Sequence, residues 1–146
     1  MKWVTWENVG VDRMACAWLI RRYIDPKAEF LFVPAGEKSL PKGAEPFDLP
    51  GARLSHHRGH CTFHTLLREY NLKDPILQHI ARIVDEADVV QEVTVEPIAP
   101  GLDFICRGLR LTSPDDLTAI TRGIQLYEAV YAQLAAEPEE RGSGSE

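Results

Sequence analysis

The order strand, helix, strand in the segment that ends at Val33 constrains this chain more than any other feature. Lys2 to Trp6 is short, apolar and rich in β-formers, and reads as a strand. After Gly10, the run from Asp12 to Ile24 reads as a helix. Asp12 stands where it can cap the first turn, and Arg21 and Arg22 sit at the end that the macrodipole makes negative. Ala15, Trp18, Leu19 and Arg22 or Tyr23 follow helical spacing, which turns Trp18 and Leu19 to the core. Asp25-Pro26 stops the helix, because proline pushes the preceding residue out of helical backbone. Glu29 to Val33 then reads as a strand apolar on both faces, as a buried strand is. This order points to a βαβ-like unit.

Beyond it, a polar connection holds Pro34, Gly36, Pro41, Gly43 and Pro46. Phe47-Asp48 and Arg53 to His56 are short extended candidates around Pro50-Gly51. The remainder is mostly helical. Thr62 can cap a short helix through Tyr70, and Asp74-Pro75 places a cap and an N1 proline before the stripe Ile76, Leu77, Ile80, Ile83, Val84 and Ala87. Gly101 to Leu109 reads as a shorter helix. Ser113-Pro114-Asp115-Asp116 opens the strongest one, striped by Leu117, Ile120, Ile124, Tyr127, Tyr131 and Leu134 and ended by Glu137-Pro138. The expected class is mixed α/β (α+β): a small sheet with the βαβ-like unit packed against several helices, and a predominantly helical C-terminal half. Residues 1–136 are expected to form one domain, and 137–146 a disordered acidic Gly/Ser tail.

Composition narrows the function classes. The 146 residues suffice for one core, and no apolar run reaches bilayer length. The N-terminus turns polar too early for a signal peptide, so a cytoplasmic location is expected. Cys16, Cys61 and Cys106 are odd in number and far apart, which favours reduced thiols over a disulfide scaffold. The net charge of −6 falls partly on the tail, and the body is still not basic. Nucleic acid is therefore not an expected partner of this chain alone, nor is a membrane, while a homodimer stays open.

Four of the five histidines, His56, His57, His60 and His64, fall in one short stretch with Cys61. Neutral imidazole is a common metal ligand. His60 and His64, four apart, share a helix face if the helix starts early enough. His56 or His57 can add a third ligand, and a nearby carboxylate completes a shell suited to zinc, manganese or iron. The competing reading is a solvated loop with one histidine as a cap, for no HExxH spacing is present. Asp85, Glu86 and Asp88 end the preceding stripe helix, where acids oppose the macrodipole unless a metal or an arginine offsets them. Asp88, among apolar neighbours, is the stronger ligand candidate, with Glu86 beside it. Asp12 and Cys16 lie one turn apart on one face. Arg13, Arg21 and Arg22 on the same helix, with Asp12, Cys16 and Cys61 near at hand, are candidates for binding a small oxyanion or other small molecule. For Arg21 and Arg22 an ordinary helix end is the favoured reading. His79 reads as surface, and Cys106 as core.

Several blocks then carry a family resemblance: Asp12-Arg13 with Ala15 to Phe30, Pro46-Phe47-Asp48, Leu54-Ser55-His56-His57, Cys61-Thr62-Phe63, Ala81 to Val84 before Ala87-Asp88, and Tyr127 to Tyr131. Together they resemble the C-terminal domain family of the chromate-resistance protein ChrB. The resemblance implies a bacterial cytoplasmic protein linked to chromate resistance, and metal ligation at His56 and Asp88. Where some relatives read His-Asp-x-Asp, this chain has Asp85-Glu86-Ala87-Asp88, so His57, His60 or His64 would have to substitute. Two functions follow as expectations. One is a metal-binding accessory or sensor domain. The other is a small metal-dependent enzyme acting on an oxyanion or small organic substrate. No serine triad, phosphate loop or nucleotide fingerprint supports a further class.

Overall fold

The computed structural model describes residues 1–88 and 95–138. Three strands form a parallel sheet in the order β2-β1-β3, with β1 Lys2–Trp6 in the centre, β2 Glu29–Val33 on one side and β3 Ala44–Pro46 on the other. Between β1 and β2 runs α1, Val11–Leu19, which ends in a single π turn over Ile20–Ile24. The wider turn closes through the Asp25 amide on the Ile20 carbonyl at 2.6 Å, and the Asp25-Pro26 pair then ends it. β1 and β2 are thus joined by a helical crossover, as the opening pattern implied. The fold is mixed α/β, with α2 Thr62–Glu69, α3 Pro75–Asp88, α4 Ala99–Thr112 and α5 Asp116–Ala136 completing it.

α1 lies at the centre. Met14 to Leu19 are all fully buried, because the helix packs against α2, α3, α4 and α5 as well as lying between the strands in sequence. Trp18 is the hub: its indole stacks on Phe63 of α2 and on Tyr127 of α5, with ring centroids 6.3 and 6.0 Å apart. Its Nε1 donates to Glu128 at 2.8 Å. α5 approaches α1 closely because Gly123 has no side chain; a Cβ there would meet Met14 Cβ at 2.9 Å.

Four local expectations change. β3 arises inside the connection read as polar; at three residues, with Pro46 lacking an amide hydrogen, it survives only as an edge strand. Of the two extended candidates, Phe47 and Leu54 form one parallel bridge and no more. α4 runs longer at both ends than Gly101 to Leu109. Leu117, assigned to the buried stripe of α5, is 49% exposed, and Ala119 and Gly123 take its place in the contact. Residues 139–146 of the expected tail lie outside the described residues. Among those described, no helix is long and apolar enough to cross a membrane.

Candidate functional site

Parallel strands all end on the same edge, and where neighbouring strands send the chain to opposite sides a crevice opens at their carboxyl ends. In this sheet that point lies between β1 and β3. A cleft of about 550 Å³ opens there, lined by Trp6 at the end of β1 and Asn8 beyond it, Gly10 to Arg13 at the start of α1, Asp48 to Gly51 after β3, and Ser55, His56 and Asp88.

Asp12 faces this cleft from the first turn of α1 and is 3% exposed. It does not cap its own helix. Its Oδ2 accepts from the Thr62 amide at 2.8 Å and its Oδ1 from the Phe63 amide at 3.1 Å. Those are the first two amides of α2, so Asp12 supplies that helix with a cap from a distant part of the chain. Thr62, expected to be the cap, lies inside the helix, and its hydroxyl donates to Asp48 Oδ1 at 2.6 Å. The Cys16 thiol donates to Asp12 Oδ1 at 3.4 Å from behind.

Asp48 lies two residues beyond β3 and holds a left-handed backbone, φ +56°, a conformation that Asp tolerates better than most residues. Its amide donates to the Leu54 carbonyl at 2.7 Å, which fixes the turn. Arg13 grips it twice, with Nε 3.0 Å from Oδ2 and Nη2 donating to the carbonyl oxygen at 2.9 Å. The Arg13 guanidinium lies 6.0 Å from the Trp6 ring centroid.

His56 brings the carboxylates to a focus. Its Nε2 lies 3.0 Å from Asp12 Oδ2, 3.4 Å from Asp48 Oδ1 and 3.3 Å from Asp88 Oδ2. Hydrogen bonds to Asp12 and Asp48 raise its pKa to about 10, so with no other cation present the imidazole is protonated. Burial, then the charge of Asp12, raises Asp88 to about 7. Burial, then Asp48, also raises Asp12. One imidazole N–H can point at only one acceptor, so His56 cannot serve all three acidic oxygens at once, although Thr62 also donates to Asp12 Oδ2 and Asp48 Oδ1. Ligand atoms of Asp12, Asp48 and His56 all lie within 4.8 Å of one another.

The donors are carboxylate oxygen and imidazole nitrogen, a set that fits manganese, ferrous iron or zinc. No thiolate joins them. Burial pushes the Cys16 thiol well up, and burial and the charge of Asp12 do the same to Cys61, which keeps both protonated.

Of the residues singled out in the sequence, the structure brings His56, Asp88, Asp12 and Arg13 together in the cleft, with Cys16 behind Asp12. The others lie elsewhere. His57 Nε2 is bonded to the Arg53 carbonyl at 2.9 Å. His60 pairs with Asp85 at 2.9 Å and stacks on His64, ring centroids 4.0 Å apart. Cys61 is buried, and its amide donates to Asp85. Glu86 accepts from the Val95 and Glu96 amides. Arg21 reaches the Ala28 carbonyl and the Phe30 ring, and Arg22 reaches Glu128 and the Tyr131 ring. Both arginines sit at the other end of α1 from the cleft. His79 pairs with Glu96, and Cys106 is fully buried.

Asp48 was not singled out, although it contributes as much as any residue. In the sequence it reads only as part of the short extended candidate Phe47-Asp48. The available signal was its position at the end of a short extended segment, where parallel sheets place ligands.

The fold and the cleft define a small α/β domain with an acidic, histidine-bearing cleft at the carboxyl edge of a parallel sheet. Residues 3–134 match the family model described as the ChrB C-terminal domain, so the chain belongs to that family. It is 31% identical over 136 residues to Protein ChrB of Cupriavidus metallidurans, covering 92% of this chain and 41% of that protein. The chain therefore spans about two fifths of the length of that relative. No solved structure matches it.

Proposed function

We propose that this domain binds one divalent metal ion in the cleft through Asp12, Asp48 and His56, with Asp88 as a fourth donor, and acts as an accessory or sensor domain in chromate resistance. The observation that carries the metal reading is the convergence of three carboxylates, from α1, the turn after β3 and the end of α3, on one imidazole nitrogen. Like charges gathered this closely at a buried aspartate cost stability unless a cation offsets them. Protonated His56 supplies one positive charge, and a divalent ion bound through the same nitrogen supplies two. The link to chromate rests on membership of the ChrB family.

Elemental mass spectrometry on tag-free protein, purified without chelator, tests the site. The expected result is about one equivalent of manganese, iron or zinc in the native chain and none in the His56→Ala/Asp88→Ala variant. Unchanged metal content in that variant, with its fold intact by circular dichroism, would remove the site. Loss of chromate tolerance in cells carrying the same variant is the expected outcome for the biological role, and unaltered tolerance would separate metal binding from it.

A second reading, a metal-dependent enzyme, draws on the space around the carboxylates. The cleft is of substrate size. It includes Trp6, whose buried indole N–H has no partner among the described residues, and Arg13. A small oxyanion would satisfy the first and meet the second. Calorimetric titration of metal-loaded protein with chromate or sulfate is expected to show binding that weakens in Trp6→Phe. Equal heats for both proteins would exclude the indole from any such contact.

A further inference from the structure

α4 turns Ala99, Leu102 and Cys106 into the core. Its opposite side carries Phe104 and Leu111, 78% and 77% exposed. Large apolar side chains left this bare on one helical face mark a contact surface. Gly101 and Gly108 lie on the same face, so positions 101, 104, 108 and 111 alternate in steps of three and four, the spacing of a helix-pairing seam. A Cβ built on either glycine meets nothing within 4 Å. Gly108 thus weakens the helix by about 1 kcal/mol relative to alanine while serving no close approach inside its own fold. Gly123 of α5, pressed on Met14, shows the contrast.

We propose that α4 is the two-fold interface between two copies of this chain, packed antiparallel, with Phe104 of each copy seated on Gly108 of the other and Leu111 on Gly101. The four positions are symmetric about the middle of the helix, so both knobs find a hollow at once, as an isologous contact requires. Charge selects the orientation. One flank of the seam carries Asp103 and Arg107, ion-paired at 2.8 Å, and the other carries Ile105 and Thr112. Antiparallel pairing sets like flank on like flank, bringing Asp103 of each copy alongside Arg107 of the other and Ile105 against Ile105. Parallel pairing would set the charged flank against Ile105 and Thr112. One helical face is small beside the roughly 800 Å² per partner of a standard interface, so the dimer is a weak and reversible one. The inference is independent of the metal reading.

Sedimentation velocity on the full chain, from about 2 to 300 μM, tests it. The expected result is a mass-average that climbs from monomer to dimer across this range. Phe104→Glu is expected to raise the dissociation constant at least tenfold, with an unchanged circular dichroism spectrum. Gly108→Leu is expected to do the same, although the monomer has room for the added side chain. Arg107→Asp is expected to weaken the dimer, and Asp103→Arg/Arg107→Asp to restore it. A chain that stays monomeric throughout, or a dimer of equal affinity in Phe104→Glu or Gly108→Leu, would overturn the proposal.

Discussion

Asp12 performs two tasks with one carboxylate. It terminates α2 by accepting from Thr62 and Phe63, and it presents an acid to the cleft beside His56. Asp12→Ala strands two buried amides, each about 1–3 kcal/mol when unsatisfied, so a loss of about 2–6 kcal/mol in urea denaturation is expected. Asp12→Asn should lose less, since its amide oxygen keeps one acceptor. His64 supplies a prediction of a different kind. Burial, then the nearby charge of His60, holds its pKa below the usual histidine value, and its Nδ1 is a buried atom without a partner among the described residues. The unfolded chain therefore takes up a proton near pH 6.5 that the folded chain refuses until a lower pH. Stability contributed by neutral His64 is present above about pH 6.5 and is lost as pH falls from there toward the lowered folded value. Comparing urea midpoints of wild type and His64→Gln at pH 7.5 and 5.5 should show the variant losing less on acidification. An identical loss would assign the acid sensitivity to other groups.

At the scale of elements, glycine has opposite meanings in two neighbouring helices. Gly123 of α5 lies against Met14 of α1, where an added Cβ would come within 3 Å of three Met14 atoms. Gly123→Ala should cost about 1–3 kcal/mol by overpacking, despite the better helix propensity of alanine. Gly108→Ala in α4 has open space and should stabilise the dilute chain by up to about 1 kcal/mol. Thermal melts of the two variants, moving in opposite directions, would check both. Both glycines occupy helical positions in the sequence, and nothing local distinguishes them. The difference lies in which helix passes alongside. The caps divide in the same way. Asp115 accepts from the Thr118 amide and Asp74 from the Ile76 amide, as adjacent residues lead one to expect. The cap of α2 comes from Asp12, fifty residues earlier, and the packing of α1 on α2, with Trp18 stacked on Phe63, brings the two together.

For the molecule as a whole, metal binding to the folded form alone raises stability by about 2.7 kcal/mol when free metal is a hundredfold above its dissociation constant. The expected outcome is an upward shift of the melting temperature with added manganese, iron or zinc, reversed by EDTA and absent in Asp48→Asn. An Asp48→Asn protein that gains as much as the wild type would place the metal elsewhere. The βαβ-like opening, the helical C-terminal half and the termini of α3 and α5 were legible from residue order, since hydrophobic period, proline and capping acids act over a few residues. His56, Asp88, Asp12 and Arg13 stood out as chemically unusual side chains. Their grouping did not, and neither did the sorting of His57, His60, His64 and Glu86 into local pairings outside the cleft. β3 is too short and too proline-marked to announce itself, so Asp48, which that strand places beside Arg13, read only as part of a short extended segment. By itself the sequence determined the helices, the first two strands and which residues have chemistry to offer, because those properties belong to local backbone and to side-chain type. Only the tertiary structure decided that three carboxylates from separate segments meet at one imidazole, because that meeting depends on a parallel sheet ending and on helices crossing, contacts made between residues far apart in the chain.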